Sequence, residues 1–117
     1  MDAWERSGAP FHTMRDHPSH SNYYLSGGLW GAVRGALPDI RALLTSTRAG
    51  AAKNAYGHDM DFLNSDVWPK MVAAGVLQHD AFSCARMGAG AVGWPRPRAG
   101  AEHVGGVYDG SDAIRAA

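Results

Sequence analysis

Apolar positions come in short runs separated by glycine, proline and polar clusters. Residues 1–10 are polar and predict a short helical turn around Trp4, stopped by Ser7-Gly8-Ala9-Pro10. Phe11-His12-Thr13-Met14 has the length of a strand and runs into Arg15-Asp16-His17-Pro18-Ser19-His20. There Pro18 keeps His17 extended, which predicts a loop. Asn22-Tyr23-Tyr24-Leu25 predicts a second extended piece, broken by Ser26-Gly27-Gly28. Leu29-Trp30-Gly31-Ala32-Val33 predicts a third, with glycines where backbone or ligand comes close. Helical spacing begins at Pro38. Leu37, Ile40 and Leu44 share a face with Leu43 beside them, which predicts a helix over 38–45. Met60, Leu63 and Val67 predict another over 59–67. Pro69 should end or kink it, or Ser65 should cap a separate helix running to Ala74. Gly75 closes this region. Val76-Leu77-Gln78-His79 predicts a strand and Phe82 to Cys84 another. Beyond Met87, small residues predict a linker over 87–93 and an irregular tail over 87–117, with a last strand at 101–104. Strands, then helices, then strands predict an α/β or α+β layer.

Composition narrows the classes. The chain has 117 residues, enough for a single domain over 1–117 that buries about two thirds of its unfolded surface. Lys+Arg and Asp+Glu are equal at 11 each, which argues against a basic footprint for nucleic acid. No stretch approaches the roughly 20 apolar residues of a membrane span, and the start MDAWERSGAP lacks a signal peptide's apolar segment. Cys84 is the single cysteine, so no internal disulfide forms, and a cytoplasmic protein is expected.

Several polar groups carry candidate chemistry. Arg15, Asp16, His17 and His20 offer charge, hydrogen-bond donors and a base within one loop, facing a polar substrate or pinning the loop itself. His17, His20 and Asp16 also resemble an incomplete metal-ligand set. Ser26-Gly27-Gly28-Leu29-Trp30-Gly31 lets backbone approach a sugar or phosphate while an indole stacks. Its spacing fits neither a P-loop nor a dinucleotide fingerprint. Asp59 and Asp61 stand two apart and would diverge by about 200° on a helix. The pair His79-Asp80 follows a strand, where α/β proteins place functional groups or turns are capped. Arg96 and Arg98 beside Trp94 would hold an anionic group or lie solvated. Cys84 has no partner set for nucleophilic catalysis, and no Gly-x-Ser-x-Gly elbow exists.

Read in order, FHTMRDHPSH, SGGLWG, YGHDMDFLNSDVWP, QHDAFSC and WPRPRAGAEHVGGVYDG resemble a glycosyltransferase-like family of the GT-A class over about residues 2–109. The family pattern reads H-x-M-R-D-H-x-x-H, G-G-M-W-G, Y-G-x-D-Q-x-F-L, a His-Asp pair and F-P-x-R-x-G-x-E-F-V-G. Here Leu29, Met60, Trp94 and His103 depart from it. The resemblance implies a partial GT-A-like, Rossmann-related, three-layer α/β fold, loop-rich, with short strands and two or three helices. It also implies sugar transfer from a nucleotide-sugar donor to a carbohydrate acceptor, with a divalent metal (Mn²⁺ or Mg²⁺) on the diphosphate. In that frame Asp59 and Asp16 are the catalytic carboxylates. Arg15, His17, His20, Gly27, Gly28, Trp30, Gly31 and Arg96 bind substrate, and His79 approaches the metal. The family's metal-holding Asp-x-Asp lies upstream of the segment resembling Asp2-Ala3-Trp4. The resemblance therefore makes this chain a carboxy-terminal half, inactive alone or completed by a partner chain or homo-oligomer. Two other readings compete: a non-catalytic carbohydrate-binding or assembly module, and a small metal-dependent hydrolase centred on Asp16, His17 and His20.

Overall fold

The structure, a computed structural model, describes residues 2–17, 23–46, 58–81 and 90–95. Its elements are α1 (Asp2–Ser7), β1 (Phe11–Arg15), β2 (Trp30–Ala32), α2 (Ile40–Ser46), α3 (His58–Phe62), a π-helical turn (Leu63–Val67), α4 (Trp68–Ala74), β3 (Val76–Asp80) and β4 (Ala91–Gly93). This is an α/β arrangement: a four-stranded mixed sheet in the order β2-β1-β3-β4. β2 runs antiparallel to β1, whereas β3 is parallel to both β1 and β4. The β1-to-β3 connection carries the helices, as a crossover between parallel neighbours requires. Among the described residues no helix is long and apolar enough to cross a membrane.

The register places Phe11 beside Val76, His12 beside Leu77, Thr13 beside Gln78, Met14 beside His79 and Arg15 beside Asp80. Side chains alternate along a strand, so these pairs sort onto two faces. Phe11 looks onto the helices and joins Leu25, Leu63, Val67 and Met71 in the buried core, flanked by Trp30, Leu37, Leu43 and Trp68. Burying each such side chain contributes about 1.5–3 kcal/mol. His12 and His79 lie on the opposite face, where α1 brings Trp4 against the His12 ring with centroids 5.4 Å apart.

Several expectations are refined. The helix expected over 59–67 passes into the π-helical turn, and the separate helix expected to run to Ala74 is α4, though Ser65 does not cap it. The cap of α4 is Val67, with Pro69 in the first turn, where its missing N–H costs no hydrogen bond. In an uninterrupted α-helix the proline ring would meet the carbonyl of Ser65. The chain widens instead, and the Trp68 N–H donates to Leu63 O, five residues back. Gly75 ends α4 with φ 110°, a conformation that L side chains rarely adopt. Leu37, ahead of α2, and Leu43 within it pack against the core, while Leu44 is 55% exposed. Residues 23–25 form a bend rather than a strand, with Leu25 fully buried. The stretch expected as linker over 87–93 contains β4. Three small residues carry too little alternation to reveal a strand, and pairing with β3 decides it. The strands expected at Phe82–Cys84 and 101–104, and most of the 87–117 tail, lie outside the described residues.

Candidate functional site

The carboxyl ends of β1 and β3 bring Arg15, Asp16 and Asp80 together. This is where parallel sheets present functional side chains. Arg15 is 1% exposed. Its Nε donates to Asp80 Oδ2 at 2.7 Å, Nη2 to Gln78 Oε1 at 2.8 Å and Nη1 to the Tyr24 carbonyl at 2.8 Å. A buried guanidinium is tolerable only when paired and hydrogen-bonded, and each of its three nitrogens donates a hydrogen bond. Asp16, one residue beyond the strand, is fully buried, and His17 is half-buried.

The same network holds the bend at 23–25. Tyr24 O accepts from Arg15 and, at 3.4 Å, from Thr13 Oγ1. Tyr24 N and Leu25 N both donate to Asn64 Oδ1, at 2.9 and 3.0 Å, and Asn64 Nδ2 donates to Leu25 O at 3.0 Å. Asn64 belongs to the π-helical turn, a rare conformation that recurs at functional sites. Two residues onward the bend reaches Gly27. A Cβ placed there would sit 3.6 Å from Asp59 Oδ2. The glycine turn and the first turn of α3, far apart in sequence, thus share one surface. Gly27, Gly28 and Asp59 are all exposed there.

The other sheet face holds a different pair. His12 Nε2 and His79 Nδ1 lie 2.7 Å apart, one donating and the other accepting, with the rings edge-on. Burial lowers the His12 pKa to about 4, helped by the neighbouring His79 and the amino terminus. Burial, then the amino terminus, lowers that of His79 as well. The pair is therefore neutral at neutral pH. The Trp94 ring stands 6.4 Å from His79.

The chain matches no family model, no curated protein and no solved structure. What can be said of the site rests on its geometry. Of the residues singled out in the sequence, Gly27 and Asp59 are brought together, as are Arg15 and Asp80. His79 and Asp80 are separated by the pleat: Asp80 points with Arg15 toward the helices, and His79 points with His12 away from them. Trp30 pairs with Thr13 on β2 and packs against the core, whereas Gly31 lies under the Trp4 indole. Asp59 and Asp61 stand on α3 and diverge as their spacing requires. His20, Arg96, Arg98, His103 and Cys84 lie outside the described residues. Among the described residues no three His, Cys, Asp or Glu side chains are grouped to hold an ion. His79 has one ring nitrogen engaged by His12. Gln78 and Asn64 were not legible as site residues. Gln78 becomes so only through its diagonal relation to Arg15 across two parallel strands, and Asn64 only through the π-helical turn.

Proposed function

We propose that the chain is a glycosyltransferase-like protein that works on a nucleotide-sugar donor and a carbohydrate acceptor. The observation that carries this reading is the approach of Asp59 to Gly27. An exposed carboxylate stands against a glycine turn where a sugar meets no side chain. In this reading Asp59 accepts the proton of an attacking hydroxyl or stabilises positive charge at the anomeric carbon. The Arg15 network holds the turn that faces it. Buried as it is, Arg15 acts on substrate through the position of Tyr24 and the residues that follow. In this reading the protein works in the cytoplasm, in keeping with its single cysteine.

A second reading has its own support. Arg15 and Asp16 are both withdrawn from solvent, which suits a rigid carbohydrate-binding or assembly module without catalysis. Incubating the full chain with a panel of nucleotide sugars and neutral glycans, and measuring nucleoside diphosphate release, separates the two. We expect glycan-dependent release that falls about 100-fold in Asp59→Asn, the scale of a lost general base. Release unchanged in a folded Asp59→Asn sinks the assignment of Asp59. No release from any donor, with glycan binding retained, favours the binding module.

A further inference from the structure

We infer that the Tyr24–Trp68 pair is a preformed stacking platform for the acceptor sugar. Trp68 is half-buried and packs against the hydrophobic core at the start of α4. Tyr24 stacks on its ring with centroids 4.8 Å apart and planes 6° from parallel. Tyr24 is nonetheless 45% exposed. Its N–H is taken by Asn64 and its carbonyl by Arg15 and Thr13, and one ring face is covered by Trp68. The exposure therefore belongs to the opposite ring face and edge.

The backbone that carries this ring is held from both sides of the molecule. Asn64 reaches it from the π-helical turn and Arg15 from the end of β1. The buried Arg15–Asp80 pair thus positions an exposed aromatic, as a binding surface requires when its side chains must not reorganise on contact. Tyr23, beside it, is also 45% exposed.

The chemistry selects the ligand. An aromatic face stacks on the C–H face of a pyranose, and a nearby carboxylate accepts its hydroxyl hydrogens. Gly27 lies three positions after Tyr24, so their Cα atoms are at most about 10 Å apart, the reach of one or two sugar rings. Asp59 stands at Gly27. A carboxylate there repels a phosphate and tolerates a neutral glycan, so the platform belongs to the acceptor and not to the donor diphosphate. The word acceptor rests on the reading of Asp59 given above, whereas stacking of a neutral sugar on Tyr24 does not.

The test uses the full chain on an array of neutral glycans, followed by calorimetric titration with the best binder and, separately, with AMP. We expect saturable glycan binding that weakens about tenfold or more in Tyr24→Ala and is retained in Tyr24→Phe. Tyr24→Leu keeps apolar bulk over Trp68 without an aromatic face, so it reports stacking even where Tyr24→Ala fails to fold. Three results overturn the platform: no neutral glycan binds, binding is indifferent to Tyr24→Leu, or AMP replaces glycan as the Tyr24-dependent ligand. Tyr24-dependent glycan binding without sugar transfer overturns the enzymatic reading alone. Asp59-dependent transfer with an unchanged acceptor KM in Tyr24→Leu overturns the platform alone.

Discussion

The two faces of the sheet solve the same problem in opposite ways. On each, β1 and β3 bring two polar side chains into contact away from water. Facing the helices, Arg15 meets Asp80 with opposite charge and also donates to Gln78 and the Tyr24 carbonyl. On the far side, His12 meets His79, and both stay neutral because burial disfavours a charge on either ring, helped at His12 by the neighbouring His79. The ionic pair endures only while both partners are present. The neutral pair endures only while the solution does not protonate it. One face is thus sensitive to mutation and the other to acid.

The largest effect should come from breaking the ionic pair. Asp80→Ala leaves the Arg15 guanidinium buried without its counter-charge and should cost about 3–5 kcal/mol in urea unfolding. The double substitution Arg15→Met with Asp80→Leu should recover most of that stability while releasing the Tyr24 carbonyl. A single mutant as stable as the parent would show that the guanidinium escapes to water.

Acid should act on the other face. The folded pKa of His12 is about 4, below the 6.5 of the free side chain. Between these values the unfolded chain binds a proton that the fold refuses, so stability rises with pH. It is fully present above about 6.5 and is lost as pH falls toward about 4. With partial solvent screening the loss should be roughly 1–2 kcal/mol. Thermal melts of the parent and of His12→Gln from pH 8 to pH 4 test this. The variant should flatten the dependence in that window, and an identical slope in both would assign the acid sensitivity elsewhere.

A smaller test probes how closely the histidine face is covered. A Cβ at Gly31 would come within 3.0 Å of Trp4 Cη2 and Cζ3, the far edge of an indole anchored by its Nε1 donating to the Ala9 carbonyl at 2.7 Å. Gly31→Ala should therefore cost about 1 kcal/mol and shift the Trp4 fluorescence. The loss of stability in acid should then be smaller and should end nearer the ordinary histidine range, because the cover over His12 loosens. Unaltered fluorescence would mean that the indole moves aside freely.

Much of the local order was legible from residue pattern. The turn around Trp4, the strand from Phe11, the helical spacing after Pro38, the stop at Gly75 and the strand from Val76 all reappear within one to three residues. Each is written in neighbouring positions, as glycine, proline or a helical period. The π-helical turn is not, because it reconciles Pro69 with core positions on both sides of it. Nor is β4, whose three small residues form a strand only because β3 lies beside them.

The site divides along the same line. The sequence by itself determined which chemical groups are available: Arg15, Asp16, Asp59, His79 and Asp80 stand in short polar stretches at element ends. It also pointed to an α/β or α+β layer that would carry them. Only the tertiary structure decided which of them meet. The register of β1 and β3 joined Arg15 to Asp80, and the alternation of the pleat sent His79 to the other face, away from the residue that follows it. Likewise, the turn at Gly27 met Asp59 because Asn64 ties the two segments together. Pairings between distant segments depend on register and packing, and these are properties of the assembled chain.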